Sequence, residues 1–216
     1  MTMSSRREQR GRPEEEWMPR TELGKLVQQG KVATLDEVFE RGMRIREPQI
    51  VDLMLPRLTE EVVSIDLVQK QTDAGERNRY RVLVVVGDGD GHVGLAVGKA
   101  RQVRNAIEKG VASAKMNIHP IRRGCGSYEC RCGKPHSLLF AVSGKRGSVK
   151  IELYPAPRGL GIVTGDTSKI VLRLAGISDC WSRSEGSTST KLSFAAATFD
   201  ALKKTIAVLT PDLWSR

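Results

Sequence analysis

The stretch from residue 80 to residue 100 constrains the fold most, because two alternating apolar runs meet there at a glycine-rich turn. The runs are Tyr80, Val82, Val84 and Val86, then Val93, Leu95 and Val97. A period of two is typical of β-strands. The segment between them, Gly87-Asp88-Gly89-Asp90-Gly91, supplies the positive φ angles of a tight connection. The sequence therefore predicts an antiparallel hairpin.

The same stretch also contains a G-x-G-x-x-G pattern, from Gly89 to Gly94. A dinucleotide-binding loop of this form needs a helix to begin inside the motif, so that the helix amino terminus faces the pyrophosphate. Here the alternation continues past Gly91, and the three residues between Gly94 and Gly98 do not fit a P-loop. A nucleotide-dependent enzyme is thus the less favoured interpretation, and a strand after Gly91 would exclude it.

The pattern from residue 58 to residue 121 predicts a domain of three antiparallel strands and a helix. The first strand is expected around Val63 to Leu67, and the charged segment from Gln69 to Arg79 is expected to be an exposed loop. The helix is expected from about Lys99 to Met116, because apolar residues recur there at helical spacing. Its outer face is cationic, so the domain presents a basic helix on a sheet.

Residues 137–210 predict a second α+β domain in the order β-β-α-β-α. Its first two strands, SLLFAVS and SVKIELY, flank Gly144-Lys145-Arg146-Gly147, a hairpin with a basic tip. A helix through IVLRLAG and a strand from Asp179 to Ser184 follow. The last helix has Ser193 as its expected cap and ends before Pro211. Its apolar stripe is Ala195, Phe199, Leu202, Ile206 and Leu209. Residues 211–216 form a tail.

The net charge of +10 is concentrated after the first 60 residues, which hold eleven basic and eleven acidic residues. A basic excess of this kind is typical of proteins that bind a polyanion. The alternative is a basic surface that is merely solvated. The cations expected to bind nucleic acid lie near the start of the predicted helix and at turns, where exposed glycines allow a close approach. They are Lys99, Arg101, Arg104, Arg122, Arg123, Lys145, Arg146 and Arg158.

Residues 15–57 predict a helical extension before the first domain. Thr34 to Glu37 has the form of a capping box, and Gly42 suits the end of that helix. Pro48 suits the first position of a second short helix, which Pro56 closes. Residues 1–14 are charged and lack periodicity, so we expect them to be disordered or to become ordered on RNA.

Residues 122–136 form a linker that lacks periodicity and holds three of the four cysteines. Cys125, Cys130, Cys132 and His136 have the spacing C-x4-C-x-C-x3-H. These are four side chains that Zn²⁺ accepts at tetrahedral geometry, and a metal would fold a segment that has no core of its own. The alternative is free thiols in a loop held by its neighbours, and both hypotheses stay open. Cys180 is expected to be buried.

No catalytic set of residues stands out among the three histidines and their acidic neighbours. Abundant Lys, Arg and Gly fit a protein that binds backbone phosphate better than an acid–base enzyme. A free-standing RNA-processing or RNA-modifying enzyme is the alternative from another class. We expect a cytoplasmic protein without a membrane partner, because no run approaches the ~18 apolar residues of a membrane span.

Several long motifs resemble the universal family of small-subunit ribosomal protein five. They are VVVGDGDGHVGLAVGKARQVRNAIEKGVASAK, HSLLFAVSGKRGSVKIELYPAPRGLGIVTG, RLAGISDCWSRSEGS and FAAATFDALKK, in this order. The stretch from EEWMPRTELGK to QIVDLMLP and the ending LTPDLW resemble the archaeal and eukaryotic branch, and RRGCGSYECRCGKPH resembles archaeal members. The resemblance covers about residues 15–216.

The resemblance implies an α+β fold in two parts and a structural role in the small ribosomal subunit. The first domain would be α-β-β-β-α, as in double-stranded-RNA-binding domains, and the second would contain a left-handed β-α-β unit. Both would bind small-subunit ribosomal RNA, without enzymatic activity and without a required cofactor. The loop between the first two strands would reach into the subunit, which adds Lys70, Arg77 and Arg79 to the expected RNA-binding residues.

The resemblance also implies further partners. These are ribosomal proteins four and eight, with a link to translation accuracy, and messenger RNA near the channel through which it enters the subunit. The loop sequence TDAGERN departs from the more basic loop of bacterial members, so their drug response is not carried over. Bacterial members also lack the cysteine cluster, so the resemblance does not support the zinc hypothesis.

Overall fold

Two four-stranded sheets, six α-helices and a 3-10 helix (Lys204–Ala207) organise the computed structural model, which describes residues 17–130 and 132–207. The helices are α1 (Glu22–Gln28), α2 (Leu35–Glu40), α3 (Pro48–Met54), α4 (Val103–Met116), α5 (Asp166–Leu174) and α6 (Lys191–Lys203). The strands are β1 (Thr59–Thr72), β2 (Gly75–Gly87), β3 (His92–Ala100), β4 (Ile118–Pro120), β5 (Val142–Arg146), β6 (Val149–Pro155), β7 (Ile162–Val163) and β8 (Cys180–Glu185). The predicted α+β class is confirmed. The predictions for residues 1–14, Leu209, Pro211 and the tail lie outside the described residues.

The long hairpin of β1 and β2 corrects one prediction. The prediction of an exposed loop from Gln69 to Arg79 is wrong, because β1 continues to Thr72 and pairs there with Gly75. The side chains of this end are mostly exposed on both faces of the hairpin. Solvated faces leave no apolar alternation in the sequence, yet backbone pairing needs none. The connection is a short turn at residues 73 and 74.

The centre of β2 is buried on both faces. Val82, Val84 and Val86 pack with α4 and the N-terminal helices. Leu83 and Val85 belong instead to the core of the second domain. A strand covered on both faces has a continuous apolar sequence, and VLVVV is such a sequence. The first sheet is therefore covered by helices on one side and by the second domain on the other.

The junction between β3 and α4 corrects the predicted start of the helix. The predicted start near Lys99 is wrong, because Lys99 pairs with Arg81 as part of β3, and α4 begins at Val103. A Cβ atom on Gly98 would lie 1.9 Å from the Ala106 carbonyl oxygen. Glycine at this position therefore lets the helix pack directly on the strand. The elements of this domain follow in the order α3-β1-β2-β3-α4, and β4 extends the sheet. The likeness to double-stranded-RNA-binding domains stays a prediction.

The glycine-rich turn decides the nucleotide-binding interpretation. β3 begins at His92, so a strand follows Gly91 and that interpretation is excluded. Gly89 and Gly91 have φ angles of 70° and 113°, in the region that glycine favours. One carboxylate oxygen of Asp88 accepts hydrogen bonds from the amides of Asp90 at 2.8 Å and His92 at 3.0 Å. The turn therefore serves as a structural connection.

The second domain has the elements β5-β6-β7-α5-β8-α6, which adds the short strand β7 to the predicted order. β7 and β8 are parallel and are joined through α5, so a β-α-β unit is present, and its hand stays a prediction. The first predicted strand is shorter than expected, because Ser137 pairs with Gly124 of the linker and β5 begins only at Val142. The predicted cap Ser193 is wrong, since α6 begins at Lys191.

The N-terminal extension contains three short helices, and two of them were predicted. Thr34 occupies the cap position of α2, but its side chain makes no capping hydrogen bond, so the predicted capping box is not formed. Gly42 has a φ of 67° after α2, and Pro48 opens α3, as predicted. α1 was not predicted; its cap is Thr21, whose hydroxyl accepts a hydrogen bond from the amide of Gly24 at 3.1 Å.

Candidate nucleic-acid interface and metal site

The cations of the long hairpin lie on one face of the first sheet. Lys70 is directly opposite Arg77, and Lys99 is directly opposite Arg81. Since alternate residues of a strand share a face, Arg79 lies between these two pairs on the same face. Lys70, Arg77, Arg79 and Lys99 are all exposed. The backbone ladder therefore assembles them into one basic row, which we call the hairpin row.

Arg81 belongs geometrically to the hairpin row but was not predicted. Its guanidinium is 3.1 Å from the carboxylate of Asp66 on the neighbouring strand, so its charge is already paired. The alternate spacing of Arg77, Arg79 and Arg81 in the sequence could have indicated a shared face. A strand was not expected there, and the signal was missed.

The start of α4 presents a second group of cations. Arg101 and Arg104 are exposed, and the first turn of α4 contains no acidic residue. The cap residue Gln102 makes no side-chain bond to the helix amides. Helix amino termini with free amides favour phosphate, and the flanking cations add to this. Arg104 also pairs with Glu108 at 3.2 Å, on the solvent-exposed side of the helix.

The predicted cations of the second domain are also exposed. Lys145 and Arg146 end β5, beside the turn at residues 147 and 148. Arg146 is 3.9 Å from Asp200, at the outer limit of an ion pair. Arg158 lies in the loop between β6 and β7. These side chains can approach a polyanion without rearrangement of the core.

The two linker arginines are placed differently. The Arg123 guanidinium donates to the carbonyl oxygens of Gly89 at 3.3 Å, Gly176 at 3.3 Å and Asp90 at 2.7 Å, and it also pairs with the Asp90 carboxylate. Its side chain is 14% exposed. The amide of Arg122 donates to the Thr205 hydroxyl at 3.1 Å. Their role in RNA binding stays a prediction, and their geometry favours joining the two domains.

The four predicted metal ligands converge. The sulfur atoms of Cys125, Cys130 and Cys132 and a ring nitrogen of His136 all lie within 4.8 Å of one another. The separation of the Cys130 sulfur from His136 Nε2 is 3.7 Å. Tetrahedral Zn²⁺ with its usual bond lengths holds sulfur and nitrogen about 3.6 Å apart and two sulfurs about 3.8 Å apart. The arrangement, which we call the thiol cluster, is therefore close to the dimensions of a zinc site.

The surroundings of the thiol cluster favour thiolates, but not three of them without a cation. A hydrogen bond from the Cys132 amide lowers the pKa of the Cys125 thiol, and one from the Arg158 amide lowers that of Cys130. The Lys134 amide also bonds Cys132, yet burial and the two neighbouring sulfurs raise the pKa of Cys132. Like charges at this distance repel, so a divalent cation would stabilise the full set. Cys180 is buried as predicted, which raises its pKa to about 12.

Asp179 supports the thiol cluster through His136, and the sequence did not reveal this role. One of its carboxylate oxygens accepts a hydrogen bond from His136 Nδ1 at 2.8 Å. The other accepts from the amides of Gly159 at 3.0 Å and Gly161 at 2.8 Å. Although burial disfavours its charge, these bonds lower the pKa of Asp179. Its partner His136 is 43 positions away, and no sequence signal joins them.

Comparison with known proteins places the chain in a family. The family "Ribosomal protein S5, N-terminal domain" matches residues 58–122, and "Ribosomal protein S5, C-terminal domain" matches residues 144–216. "Small ribosomal subunit protein uS5" of Thermofilum pendens is 57% identical over 92% of this chain and 98% of its own. The protein of the same name from Ignicoccus hospitalis is 56% identical over 93% and 95%.

These relatives come from archaeal species, and the predicted family resemblance is confirmed. The prediction that the chain is not an enzyme agrees with membership of a ribosomal protein family. No helix within residues 17–130 and 132–207 is long and apolar enough to cross a membrane. The chain belongs to the ribosomal protein S5 family.

Proposed function

We propose that the protein is a structural constituent of the small ribosomal subunit and binds small-subunit ribosomal RNA through the hairpin row. The observation that carries this proposal is the placement of Lys70, Arg77, Arg79 and Lys99 on one exposed face by backbone pairing. The names of the relatives support the site of action. The particle would place the protein in the cytoplasm.

The hairpin row would act by charge neutralisation and by shape. Each lysine or arginine that reaches a phosphate releases condensed counterions, which makes binding salt-dependent. Double-stranded RNA is recognised mostly through its backbone and shape, because its deep groove is closed to side chains. Arg101 and Arg104, with the amides of α4, and the exposed Lys145, Arg146 and Arg158 would supply further phosphate contacts. Arg122 and Arg123 stay in the proposal as residues near the RNA, with their main contacts inside the protein.

The domain boundaries and remaining partners are proposed on family membership. We assign residues 58–121 to the first RNA-binding domain and residues 137–210 to the second, with residues 122–136 as the linker. Ribosomal proteins four and eight and messenger RNA near its entrance channel would be neighbours in the particle. A contribution to translation accuracy would follow from those contacts.

Salt-dependent binding to purified small-subunit ribosomal RNA tests the hairpin row. The variant replaces Lys70, Arg77 and Arg79 by alanine. A matched control replaces Gln69, Gln71 and Asn78, which lie on the opposite face of the same hairpin. Each lost phosphate contact makes the negative slope of log K against log salt shallower by about 0.7 to 0.9. We therefore expect the slope of the triple variant to be shallower by about 2. An unchanged slope, or an equal change in the control, would contradict the proposal.

We also propose that the thiol cluster holds a structural Zn²⁺. Three thiolates and one imidazole fill all four positions of a tetrahedral site, which leaves no position for water or substrate, as in structural zinc sites. The His136 ring nitrogen that does not face the sulfurs is bonded to Asp179. Such a partner is usual for histidines that bind zinc. The metal would supply the folding energy that the linker lacks.

Metal content of the purified full-length protein tests the zinc site. We expect zinc bound in a stoichiometric amount, lost on Cys132→Ser and retained on Cys180→Ala, which removes a thiol outside the thiol cluster. Absence of zinc from protein purified under reducing conditions, together with no uptake from added zinc, would overturn the proposal.

A further inference from the structure

We propose that the carboxylate of Asp179 couples metal binding at the thiol cluster to the position of the loop that carries Arg158. Zinc loading would then hold this loop in the conformation that contacts RNA. The inference rests on the zinc site and the RNA-binding role proposed above, and it adds regulation of one by the other. The loop comprises residues 157–161, between β6 and β7, and is called the arginine loop below.

The middle of the arginine loop is held by polar contacts rather than by a core. Arg158, Gly159 and Leu160 are exposed. The amides of Gly159 and Gly161 both donate to the same carboxylate oxygen of Asp179. Because little apolar burial opposes its opening, the position of the loop depends on where Asp179 is held.

Asp179 is in turn held by a metal ligand. Its side chain is 5% exposed, and its second oxygen binds His136 Nδ1, whereas His136 Nε2 faces Cys130. A histidine that binds zinc through Nε2 carries its proton on Nδ1, where it donates to Asp179. Metal binding therefore fixes the tautomer that makes this hydrogen bond. The carboxylate bridges a zinc ligand on one side and the arginine loop on the other.

A second contact joins the thiol cluster to the same loop. The backbone amide of Arg158 donates a hydrogen bond to the sulfur of Cys130. A sulfur that coordinates zinc carries thiolate charge, and hydrogen bonds to a charged acceptor are stronger than those to a neutral one. The amides of three loop residues, Arg158, Gly159 and Gly161, thus bind acceptors that the metal orients or charges.

The ends of the arginine loop are held independently of the metal. The amide of Ala156 donates to the Ser137 hydroxyl at 3.1 Å, and the amide of Cys180 donates to the Gly161 carbonyl oxygen at 3.2 Å. Loss of zinc would therefore free the middle of the loop without unfolding β6 or β8. By linkage, zinc and RNA should strengthen each other's binding by the same factor, typically about 5- to 150-fold in allosteric systems.

Asp179→Asn is the most informative variant. The asparagine carboxamide oxygen can still accept from the amides of Gly159 and Gly161, but its NH2 group faces His136 Nδ1 and favours the tautomer with the proton on Nε2. That tautomer cannot bind zinc through Nε2. We expect zinc affinity to fall by about 10- to 100-fold, the usual cost of losing such a partner. An unchanged zinc affinity would overturn the role assigned to Asp179.

The coupling itself is tested with the full-length protein, zinc-loaded or stripped by a chelator under reducing conditions. Amide hydrogen exchange is measured at Gly159 and Gly161, with the amides of β2 as internal controls. RNA affinity is measured in both states with small-subunit ribosomal RNA. We expect faster exchange at the two glycines and weaker RNA binding without zinc. The metal dependence of RNA binding should vanish in Arg158→Ala and persist in Arg183→Ala, a matched change of an exposed arginine in the same domain.

Different failures have different signatures. Stoichiometric zinc with unchanged exchange at Gly159 and Gly161 overturns the coupling and leaves the zinc site standing. No zinc binding overturns the zinc site and the coupling together, whereas RNA binding by the hairpin row would be unaffected. Exchange that responds to zinc in a protein with no affinity for ribosomal RNA would overturn the RNA-binding role and, with it, the proposed regulation of RNA contact.

Discussion

The packing of α4 on β3 and the linker at residues 122–136 are stabilised in opposite ways. α4 and β3 are consecutive elements, joined by apolar contacts and by the direct approach of the helix to Gly98. The linker has few apolar contacts and is attached through polar groups distant in sequence, such as Arg123 to Gly176 and His136 to Asp179. Periodic sequence thus encodes the first region, whereas the second depends on partners that the rest of the fold brings to it.

The largest expected effect comes from Gly98→Ala in the first region. The added methyl group would overlap the Ala106 carbonyl oxygen and force α4 away from β3. We expect a loss of about 3 kcal/mol in the free energy of unfolding, at the upper end for overpacked cores. Chemical denaturation measures it, with the exposed neighbour Lys99→Ala as a control that should change stability by less than about 0.5 kcal/mol. Equal effects of the two changes would contradict the close packing.

Arg123→Met tests the second region, with Arg79→Met as its matched control. Arg123 donates to three backbone carbonyl oxygens with little exposure, so we expect a loss of about 2 kcal/mol in the free energy of unfolding. Arg79 is exposed, and its replacement should leave stability nearly unchanged while lowering the salt dependence of RNA binding. If both variants lowered only RNA binding, the structural role given to Arg123 would be wrong.

A smaller effect is expected from His119 of β4, whose ring lies between α2 and α6. Its ring stacks near Phe39 and meets Phe199 edge-on, with centroids 6.5 Å and 5.6 Å away. Burial, with the charge of Lys203, lowers the pKa of His119 from 6.5 to about 4. The unfolded chain therefore takes up a proton before the folded protein does, so stability should fall as pH decreases from about 6.5 to about 4.

His92 should act with the opposite sign. Although burial acts against it, the hydrogen bonds and charges of Asp88 and Asp36 raise the pKa of His92. The contribution of His92 to the free energy of unfolding is complete below pH 6.5. It is lost as the pH rises through the raised pKa of His92 in the folded protein. Unfolding free energies of wild type, His119→Asn and His92→Asn between pH 4 and pH 8 separate the two. The first variant should flatten the acidic side of the profile and the second the neutral side; parallel profiles would contradict both assignments.

Much of the fold could be predicted because its signals are local. The period of two gave β2 and β3, and the strand after Gly91 excluded nucleotide binding as expected. The far end of the β1–β2 hairpin was missed, since solvated strands leave no apolar alternation. The spacing of Cys125 to His136 identified candidate ligands, and the structure brings all four together. Asp179 could not be found because its partner His136 is distant in sequence. The acceptors of Arg123 could not be found because they are backbone carbonyl oxygens, which every residue has.

A structural role in the small ribosomal subunit is tested most directly by sedimentation of lysate in low magnesium, which separates the subunits. The small-subunit fraction is then washed in high salt, and this protein is quantified across the gradient. We expect stoichiometric retention with the washed small subunit. Recovery only in the soluble fractions at the top of the gradient would contradict it.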